Sequence, residues 1–276
     1  MFAEHFVGRA DELDSLERLL DELDRGRPGA FELAGEPGIG KTRLLKEVTA
    51  RAEARGHLVL TGTASELEHD LPFSVFVDAL DKYVAGLEPN RLAVLDGQVQ
   101  AELAHVFPSL WALGAGREVA LQHERYRSHR AVRVLLERLP APRPLVLVLD
   151  DVHWADSASV ELLGALLRRP PAAPVLIALA VRPSQTPERL TAPLERAHRE
   201  GVLTRIALGA LSPAEAGAFL SDALDPAEAA ALYEESGGNP FYLQQLARAL
   251  DLRTGMLPLP PSCPWPSTCR LPSLLR

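Results

Sequence analysis

The chain has 276 residues, of which 47% are apolar and 24% are charged, a composition typical of a soluble globular protein. These proportions exclude a disordered or collagen-like chain, and the longest apolar stretch, residues 175–181, is far shorter than the roughly 18 to 20 residues of a membrane span. The net charge of −8 argues against a dedicated nucleic-acid surface, although it leaves room for a local basic patch. Charged residues near the N-terminus interrupt any secretory signal. We therefore expect a cytoplasmic protein that binds neither a membrane nor, directly, a nucleic acid.

Helical and strand-like segments alternate from residue 10 onwards. Leucines at three- and four-residue steps predict an amphipathic helix over residues 10–24, and continuous apolar runs at 145–149 and 175–181 predict strands buried on both faces. The remaining predicted strands are 30–34, 58–60 and 203–208, and the remaining predicted helices are 41–55, 74–86, 91–106, 122–139, 156–168 and 186–199. This alternation predicts an α/β fold with a parallel sheet that has helices on both faces.

The pattern changes after Gly209 to three short helices with well-marked starts. Ser212 and Glu215 have the spacing of a capping box, with a proline at the first helical position between them. Asp225 before a proline repeats this pattern, and Asn239 before a proline opens the third helix. We expect these helices to form a small subdomain that packs on the sheet domain.

We divide the chain into a sheet domain at 1–208, a helical subdomain at 209–250 and a tail at 251–276. Residues 252–276 contain six of the 23 prolines and no acidic residue, so we expect the tail to be disordered. Its two cysteines, Cys263 and Cys269, have no neighbouring metal-ligand types and are interpreted as incidental thiols.

Residues 35–42 match the Walker A pattern G-x-x-x-x-G-K-[ST] between a predicted strand and a predicted helix. Glycines allow the backbone N–H groups of such a loop to point at phosphate oxygens, and the following helix presents its positive end to the anion. Lys41 would reach the β- and γ-phosphates, and the Thr42 hydroxyl would bind Mg²⁺. A glycine-rich turn with an incidental lysine is the alternative. The predicted nucleotide-binding residues of this loop are Gly35, Glu36, Pro37, Gly38, Ile39, Gly40, Lys41 and Thr42.

Two carboxylates, Asp150 and Asp151, follow the buried strand 145–149 and therefore lie at the sheet edge where ligands bind. Asp150 is placed to hold Mg²⁺ through water, and Asp151 to orient or deprotonate the attacking water. A simple strand-ending turn is the alternative interpretation of the pair.

Arg182 ends the strand 175–181 at the equivalent edge, where it would contact the γ-phosphate. The alternative is a surface arginine before a proline. We interpret Trp154 as a packing residue, and the sequence leaves open whether His153 binds near the phosphates or is structural.

Four segments together resemble one family: Phe6-Val7-Gly8-Arg9, the phosphate loop, residues 145–156 and Gly237-Gly238-Asn239-Pro240-Phe241. They are similar to the AAA-type ATPase module of the STAND class, which occurs in large ATP-binding LuxR-type transcription regulators and in soluble adenylyl cyclase-like proteins. The resemblance covers roughly residues 4–250 and implies a P-loop NTPase sheet followed by a helical lid. The Walker motifs are shared by many ATPases, whereas the combination of the N-terminal Val7-Gly8-Arg9, residues 150–156 and the segment from Gly237 to Phe241 is much more specific.

The resemblance also implies roles for individual residues. Val7, Gly8 and Arg9 would flank the adenine and ribose, Pro240 would pack near the adenine, and Arg182 matches a sensor arginine. Lys41, Thr42, Asp150 and Asp151 would keep their Walker roles. In this class ADP holds the lid closed, exchange for ATP opens the module for self-association, and slow hydrolysis resets the switch.

Members of this class usually continue for several hundred residues into a sensor and an effector region, so we expect this chain to be a truncated or frame-shifted piece. The favoured function is an ATP-binding, Mg²⁺-dependent NTPase module of a regulatory protein, with adenine nucleotide as its partner. Alternatives are a scaffold that binds ADP or ATP without hydrolysis, an inactive fragment, or a P-loop kinase that phosphorylates a small acceptor. A directly DNA-binding regulator is disfavoured by the charge and by the lack of a recognition helix.

Overall fold

A computed structural model of the chain describes residues 6–68, 70–88, 95–111, 121–140, 143–220 and 224–254, and for residues 121–125 and 251–254 it describes the backbone alone. The strands are β1 (Gly29–Ala34), β2 (Leu58–Thr63), β3 (Leu145–Asp150), β4 (Val175–Val181) and β5 (Leu203–Ala207). The helices are α1 (Ala10–Asp24), α2 (Lys41–Ala54), α3 (Ser74–Ala85), α4 (Gly97–Leu103), α5 (Leu121–Arg138), α6 (Ser157–Arg168), α7 (Glu188–Arg199), α8 (Pro213–Leu220), α9 (Pro226–Ser236) and α10 (Pro240–Thr254).

The five strands form one parallel sheet in the order β2-β3-β4-β1-β5. This arrangement confirms the predicted α/β class with helices on both faces. β4 lies between β1 and β3 and pairs with both of them. Whatever follows β4 is therefore placed between the segments that follow β1 and β3.

Alternate residues of each strand face two separate hydrophobic cores. Phe31 and Leu33 of β1 and Val146 of β3 pack against α1 and α2 on one face. Leu147 of β3 and Ile177 of β4 face the larger core on the other side, which includes residues of α3 to α7. Every residue of β3 and β4 is buried, which explains why their sequences are continuous apolar runs and not alternating ones.

Most predicted boundaries agree with the structure to within two residues. The predicted helix 91–106 is wrong in extent where the structure describes it, because α4 covers only Gly97–Leu103; residues 91–94 of the prediction lie outside the described residues. The start of α4 is fixed by Asp96, whose carboxylate accepts a hydrogen bond from the backbone N–H of Gln98. The predicted strand 58–60 continues three residues further, to Thr63.

The three short helices α8, α9 and α10, which we call the lid, share a small hydrophobic core of their own. This core includes Leu211, Ala216, Leu220, Leu232, Leu243 and Ala247. α10 continues to Thr254, so the prediction that the tail begins at residue 251 was wrong for its first four residues. No glycine or proline interrupts the helix before Gly255. Residues 255–276, with Cys263 and Cys269, lie outside the described residues.

None of the described helices combines the length and the apolar character that would be needed to cross a membrane.

Candidate nucleotide site

Three predicted elements meet at the carboxyl ends of the central strands. The phosphate loop follows β1, Asp150 and Asp151 end β3, and Arg182 follows β4. Because β4 separates β1 from β3, Arg182 lies between the loop and the acidic pair. Ligands of open α/β sheets bind at such carboxyl ends.

The lysine of the loop is a buried cation without a carboxylate partner among the described residues. Lys41 is only 6% exposed, and its ammonium donates hydrogen bonds to the backbone oxygens of Gly35 at 2.7 Å and Glu36 at 3.1 Å. Burial, and then the charge of Arg182, lower the pKa of Lys41, while Asp151 and other nearby carboxylates oppose this effect. An anion in this loop would relieve the cost of burying that charge.

Thr42 and Asp150 bring two oxygen atoms together from distant parts of the chain. The Thr42 hydroxyl donates a hydrogen bond to Oδ2 of Asp150 at 2.8 Å, and Oδ1 of Asp150 accepts one from the backbone N–H of Asp151 at 2.8 Å. Mg²⁺ binds one or two protein oxygens and completes its shell with water and phosphate oxygens, so this pair fits the ion. The described residues contain no group of three or more His, Cys, Asp or Glu that could form an all-protein metal site.

Asp151 adopts a left-handed backbone conformation, with a φ of 50°, at the turn after β3. Its carboxylate Oδ1 lies 3.5 Å from Nη2 of Arg182 and 3.9 Å from Nε2 of His153. The side chains of Asp151 and Arg182 are each 27% exposed and line the same cavity. The acid and the arginine are therefore close enough to act on one ligand.

His153 is buried beside this pair, and neither ring nitrogen has a hydrogen-bond partner within the described part of the chain. Burial first, and then the charges of Arg182 and Lys41, lower the pKa of His153 to about 4. The ring is therefore neutral at pH 7. Trp154 packs against His153 with ring centroids 5.2 Å apart and also against the larger core, as a packing residue would.

The lid is hydrogen-bonded directly to the phosphate loop. The Asn239 side-chain amide donates to the backbone oxygen of Pro37 at 3.1 Å, and the Phe241 N–H donates to that of Gly38 at 3.2 Å. Gly38 has a φ of +77°, and a Cβ there would lie 2.7 Å from Cβ of Phe241. Only glycine permits both this backbone conformation and this close approach.

The N-terminal segment is fixed between the loop and the lid. The backbone N–H of Arg9 donates to Oε1 of Glu215 at 2.8 Å. The Arg9 guanidinium donates through Nη2 to the backbone oxygens of Gly209 at 2.6 Å and Ile39 at 3.2 Å. Gly8 has a φ of +73°, which favours glycine, and a Cβ there would lie 2.5 Å from Oε1 of Glu215.

Glu215 also forms the capping box that the sequence predicts. Its carboxylate accepts hydrogen bonds from the backbone N–H and the hydroxyl of Ser212, both at 2.8 Å, and its own N–H donates to the Ser212 hydroxyl at 3.3 Å. These bonds and the one from Arg9 lower the pKa of Glu215, with the Arg9 bond as the largest cause. The capping spacing identified Glu215, but no sequence signal indicated its contact with Arg9.

These elements enclose a cavity of about 390 Å³. Lys41, Thr42, Asp151 and Arg182 line its polar end. The rest of the lining is largely apolar and includes Phe6, Val7, Leu208, Leu211, Phe219 and Pro240. A cavity with one charged end and one apolar end suits a ligand that joins phosphates to a flat base.

Most of the predicted site residues line this cavity. The ones that do so are Val7, Arg9, Gly38, Ile39, Gly40, Lys41, Thr42, Asp151, Arg182 and Pro240. The other predicted residues, Gly8, Gly35, Glu36, Pro37 and Asp150, flank it and do not belong to the lining. Asp150 lies behind Thr42, and the Glu36 carboxylate accepts a hydrogen bond from the Ser184 hydroxyl at 2.9 Å. Sequence reasoning missed the cavity residues Leu208, Leu211 and Phe219, which carry no motif.

Several known proteins are similar to this chain. An uncharacterized protein of Rhizobium meliloti (strain 1021) is 30% identical over 260 residues, which are 88% of this chain and 25% of that protein. The chain thus spans about a quarter of the length of this relative. Among solved structures, the Aeropyrum pernix ORC1 protein in complex with DNA matches with a TM-score of 0.52 at 16% identity, over 93% of this chain and 63% of that chain. This likeness supports the P-loop ATPase fold.

A Signal Transduction ATPase with Numerous Domains (STAND) protein with a tetratricopeptide repeat sensor, from Pyrococcus horikoshii, matches with a TM-score of 0.44 at 17% identity, over 94% of this chain and 34% of that chain. A sequence model described as AAA ATPase domain matches residues 5–178, more than half of the chain. That match includes the phosphate loop, the acidic pair and most of β4. The chain therefore belongs to the AAA ATPase domain family, a membership that implies nucleotide binding.

Proposed function

We propose that this chain is an Mg²⁺-dependent ATPase module that acts as a regulatory switch, in which the position of the lid follows the nucleotide. The observation that carries the proposal is the pair of hydrogen bonds from Asn239 and Phe241 to the backbone of the phosphate loop. A γ-phosphate in this loop changes the backbone groups to which the lid is hydrogen-bonded. The lid contacts therefore give the two nucleotide states different free energies, which a switch requires.

The residues at the polar end support hydrolysis of ATP. Asp151 orients a water molecule for in-line attack on the γ-phosphorus and accepts its proton as the bond to the ADP oxygen breaks. Lys41 and Arg182 stabilise the charge on the phosphate oxygens. Thr42 and Asp150 would hold the metal ion, which supplies further charge neutralisation when it is bound.

The apolar end supports a purine base. Val7 from the N-terminal segment and Pro240 from the lid lie on the cavity wall, where they would pack against adenine. Arg9 joins the N-terminal segment to the phosphate loop through its bond to Ile39 and to the lid through its bond to Glu215. In this proposal residues 1–208 form the nucleotide-binding domain and 209–250 the lid subdomain, and opening of the lid exposes a surface for self-association.

Slow turnover and a regulatory role belong to the same proposal. Asp151 lies 3.5 Å from Arg182, so its carboxylate must exchange this partner for water before it can act as a base. The same contact favours the second candidate function, a scaffold that binds nucleotide without hydrolysing it. We propose a place in a LuxR-type transcription regulator because of the motif combination of the N-terminal segment, the acidic pair and the lid.

Thermal unfolding with and without Mg-ADP and Mg-ATP tests nucleotide binding. A ligand at about 100 times its Kd stabilises the folded state by about 2.7 kcal/mol, which raises the Tm of a protein of this size by roughly 5 to 10 °C. We expect this rise in the wild type and in Lys46→Ala, a control that removes an exposed lysine of the same helix, and its loss in Lys41→Ala. An unchanged Tm in the wild type, with no nucleotide extractable from the purified protein, would contradict the proposal.

Phosphate release then separates the two candidate functions. Steady release of phosphate from ATP by the wild type, absent in Lys41→Ala, supports the ATPase. Binding with no release over many hours supports the scaffold.

A further inference from the structure

A second cavity of about 390 Å³ lies away from the nucleotide site, between α5, α6 and α7. Its lining contains five arginines: Arg130, Arg133, Arg168, Arg169 and Arg196. The lining within the described residues contains no aspartate or glutamate, although the whole chain carries a net charge of −8. The positive charge is thus concentrated locally in an acidic protein.

Helix electrostatics explain only part of this cluster. Arg168 and Arg196 belong to the last turns of α6 and α7, where a cation favours the negative end of the helix dipole. Arg130 and Arg133 are in the body of α5, at a three-residue spacing that places them on one face of the helix. No dipole attracts a cation there, so the convergence of all these side chains requires another reason.

Local ion pairs leave much of this charge uncompensated. Arg133 pairs with Glu137 of the same helix at 2.9 Å, and Arg196 pairs at 2.8 Å with Glu200, which directly follows α7. The Arg196–Glu200 pair is exposed, and exposed ion pairs contribute little to stability, whereas the Arg133–Glu137 pair is partly buried. Arg130 and Arg168 form no ion pair with any described residue. Within the described part of the chain, at least two guanidinium groups therefore line this cavity, which we call the groove, without a carboxylate partner.

We propose that this groove binds the sugar-phosphate backbone of a nucleic acid without regard to sequence. Arginine presents a planar set of donors that matches phosphate oxygens. Four of the five arginines are exposed. An exposed site of this kind is better suited to an extended polyanion, which stays in contact with water, than to a small ligand, which a pocket would bury. Tyr126 is 64% exposed beside Arg169, with its hydroxyl 3.5 Å from Nη1, and offers a surface on which a base can stack.

Fluorescence anisotropy of the full chain with a labelled duplex and a labelled single strand tests this proposal. If each of the five arginines contacts one phosphate, the slope of log affinity against log salt for a duplex is about −4.5, so affinity falls by about 500-fold between about 50 and 200 mM salt. The double variant Arg130→Ala/Arg168→Ala should reduce the slope to about −2.7. Arg18→Ala/Arg25→Ala removes the same charge from two exposed sites across the sheet, one on α1 and one directly after it, and should leave the slope unchanged.

Competition identifies the chemistry of the ligand. Poly-glutamate and unlabelled DNA are added at equal charge. If poly-glutamate displaces the labelled duplex as effectively as the DNA does, the assignment to a phosphate backbone is overturned in favour of an acidic protein. Binding of inorganic tripolyphosphate without either oligonucleotide would overturn the assignment to an extended polyanion. Equal salt slopes for the groove variant and the control variant would show that the groove does not take part in binding. Because Lys41 is outside the groove, Lys41→Ala should retain oligonucleotide binding even if the proposed nucleotide switch fails.

Discussion

The carboxylate of Glu215 in α8 accepts a hydrogen bond at 2.8 Å from the backbone N–H of Arg9, which lies 206 residues earlier in the chain. The guanidinium of the same arginine reaches the backbone of Ile39 in the phosphate loop. The N-terminal segment, the loop and the lid are therefore joined through one residue. Movement of the lid therefore has to break these hydrogen bonds or move the N-terminal segment together with the lid.

Glu215→Ala should weaken this junction and the start of α8 together. We expect the free energy of unfolding to fall by about 1 to 2 kcal/mol, since a helix cap and a charge-assisted hydrogen bond are both lost. Nucleotide affinity should fall as well, because Arg9 lines the cavity. Urea unfolding and nucleotide titration measure the two effects. Glu228→Ala, at the equivalent position of α9, is the matched control, and equal losses in both variants would contradict the special role of Glu215.

Asp151→Asn should separate catalysis from binding. Its amide cannot accept the proton of the attacking water, so we expect ATP turnover to fall by about 100- to 10,000-fold. The Kd for Mg-ATP should change little, because Lys41, Thr42 and Asp150 are unaltered. Asp151→Glu restores a carboxylate and should recover part of the activity. Wild-type turnover in Asp151→Asn would show that another group acts as the base.

Asp156 has a structural role that no sequence motif predicts. This buried carboxylate accepts hydrogen bonds from the backbone N–H groups of Phe73, Ser74 and Ser159, and so joins the starts of α3 and α6. Asp156→Ala leaves buried donors without partners and should lower the free energy of unfolding by about 3 to 5 kcal/mol. Asp225→Ala removes an exposed cap of α9 and should lower it by about 1 kcal/mol. Similar values for the two variants in urea unfolding would contradict this role.

The sequence predicts the elements and the chemistry of the site because both depend on local patterns. The apolar runs of β3 and β4 and the Walker loop are each contained in a few residues, and the structure has strands and a loop at those positions. The strand order is a property of the whole chain, and no local signal indicates that β4 lies between β1 and β3. The lid contacts were not predictable for the same reason, since Asn239 is 202 residues from Pro37.

The distribution of charge over the surface was also not predictable from the sequence. A net charge of −8 is an average over the chain, and it predicted no nucleic-acid partner. The arginines of α5, α6 and α7 come from separate segments, and only the packing of the three helices brings them into one groove. Their periodicity within α5 is visible in the sequence, but the residues that they face are not.

His153 should make the stability of the protein depend on pH. Burial lowers the pKa of this ring to about 4 in the folded state, against about 6.5 in the unfolded state. Between these values the unfolded chain binds a proton that the folded protein does not, so the free energy of unfolding falls as the pH is lowered. The loss attributable to His153 reaches about 3 kcal/mol at pH 4 and is absent above about pH 7.

Urea unfolding of wild type and His153→Gln across this range isolates that contribution. The neutral amide does not titrate, so the difference in unfolding free energy between the two proteins should change by about 3 kcal/mol from pH 7 to pH 4, in favour of the variant at low pH. His105→Gln, which makes the same replacement at an exposed histidine, is the control. Parallel profiles for His153→Gln would mean that the buried ring takes up its proton in the folded state, with Asp151, 3.9 Å away, as the carboxylate that stabilises it.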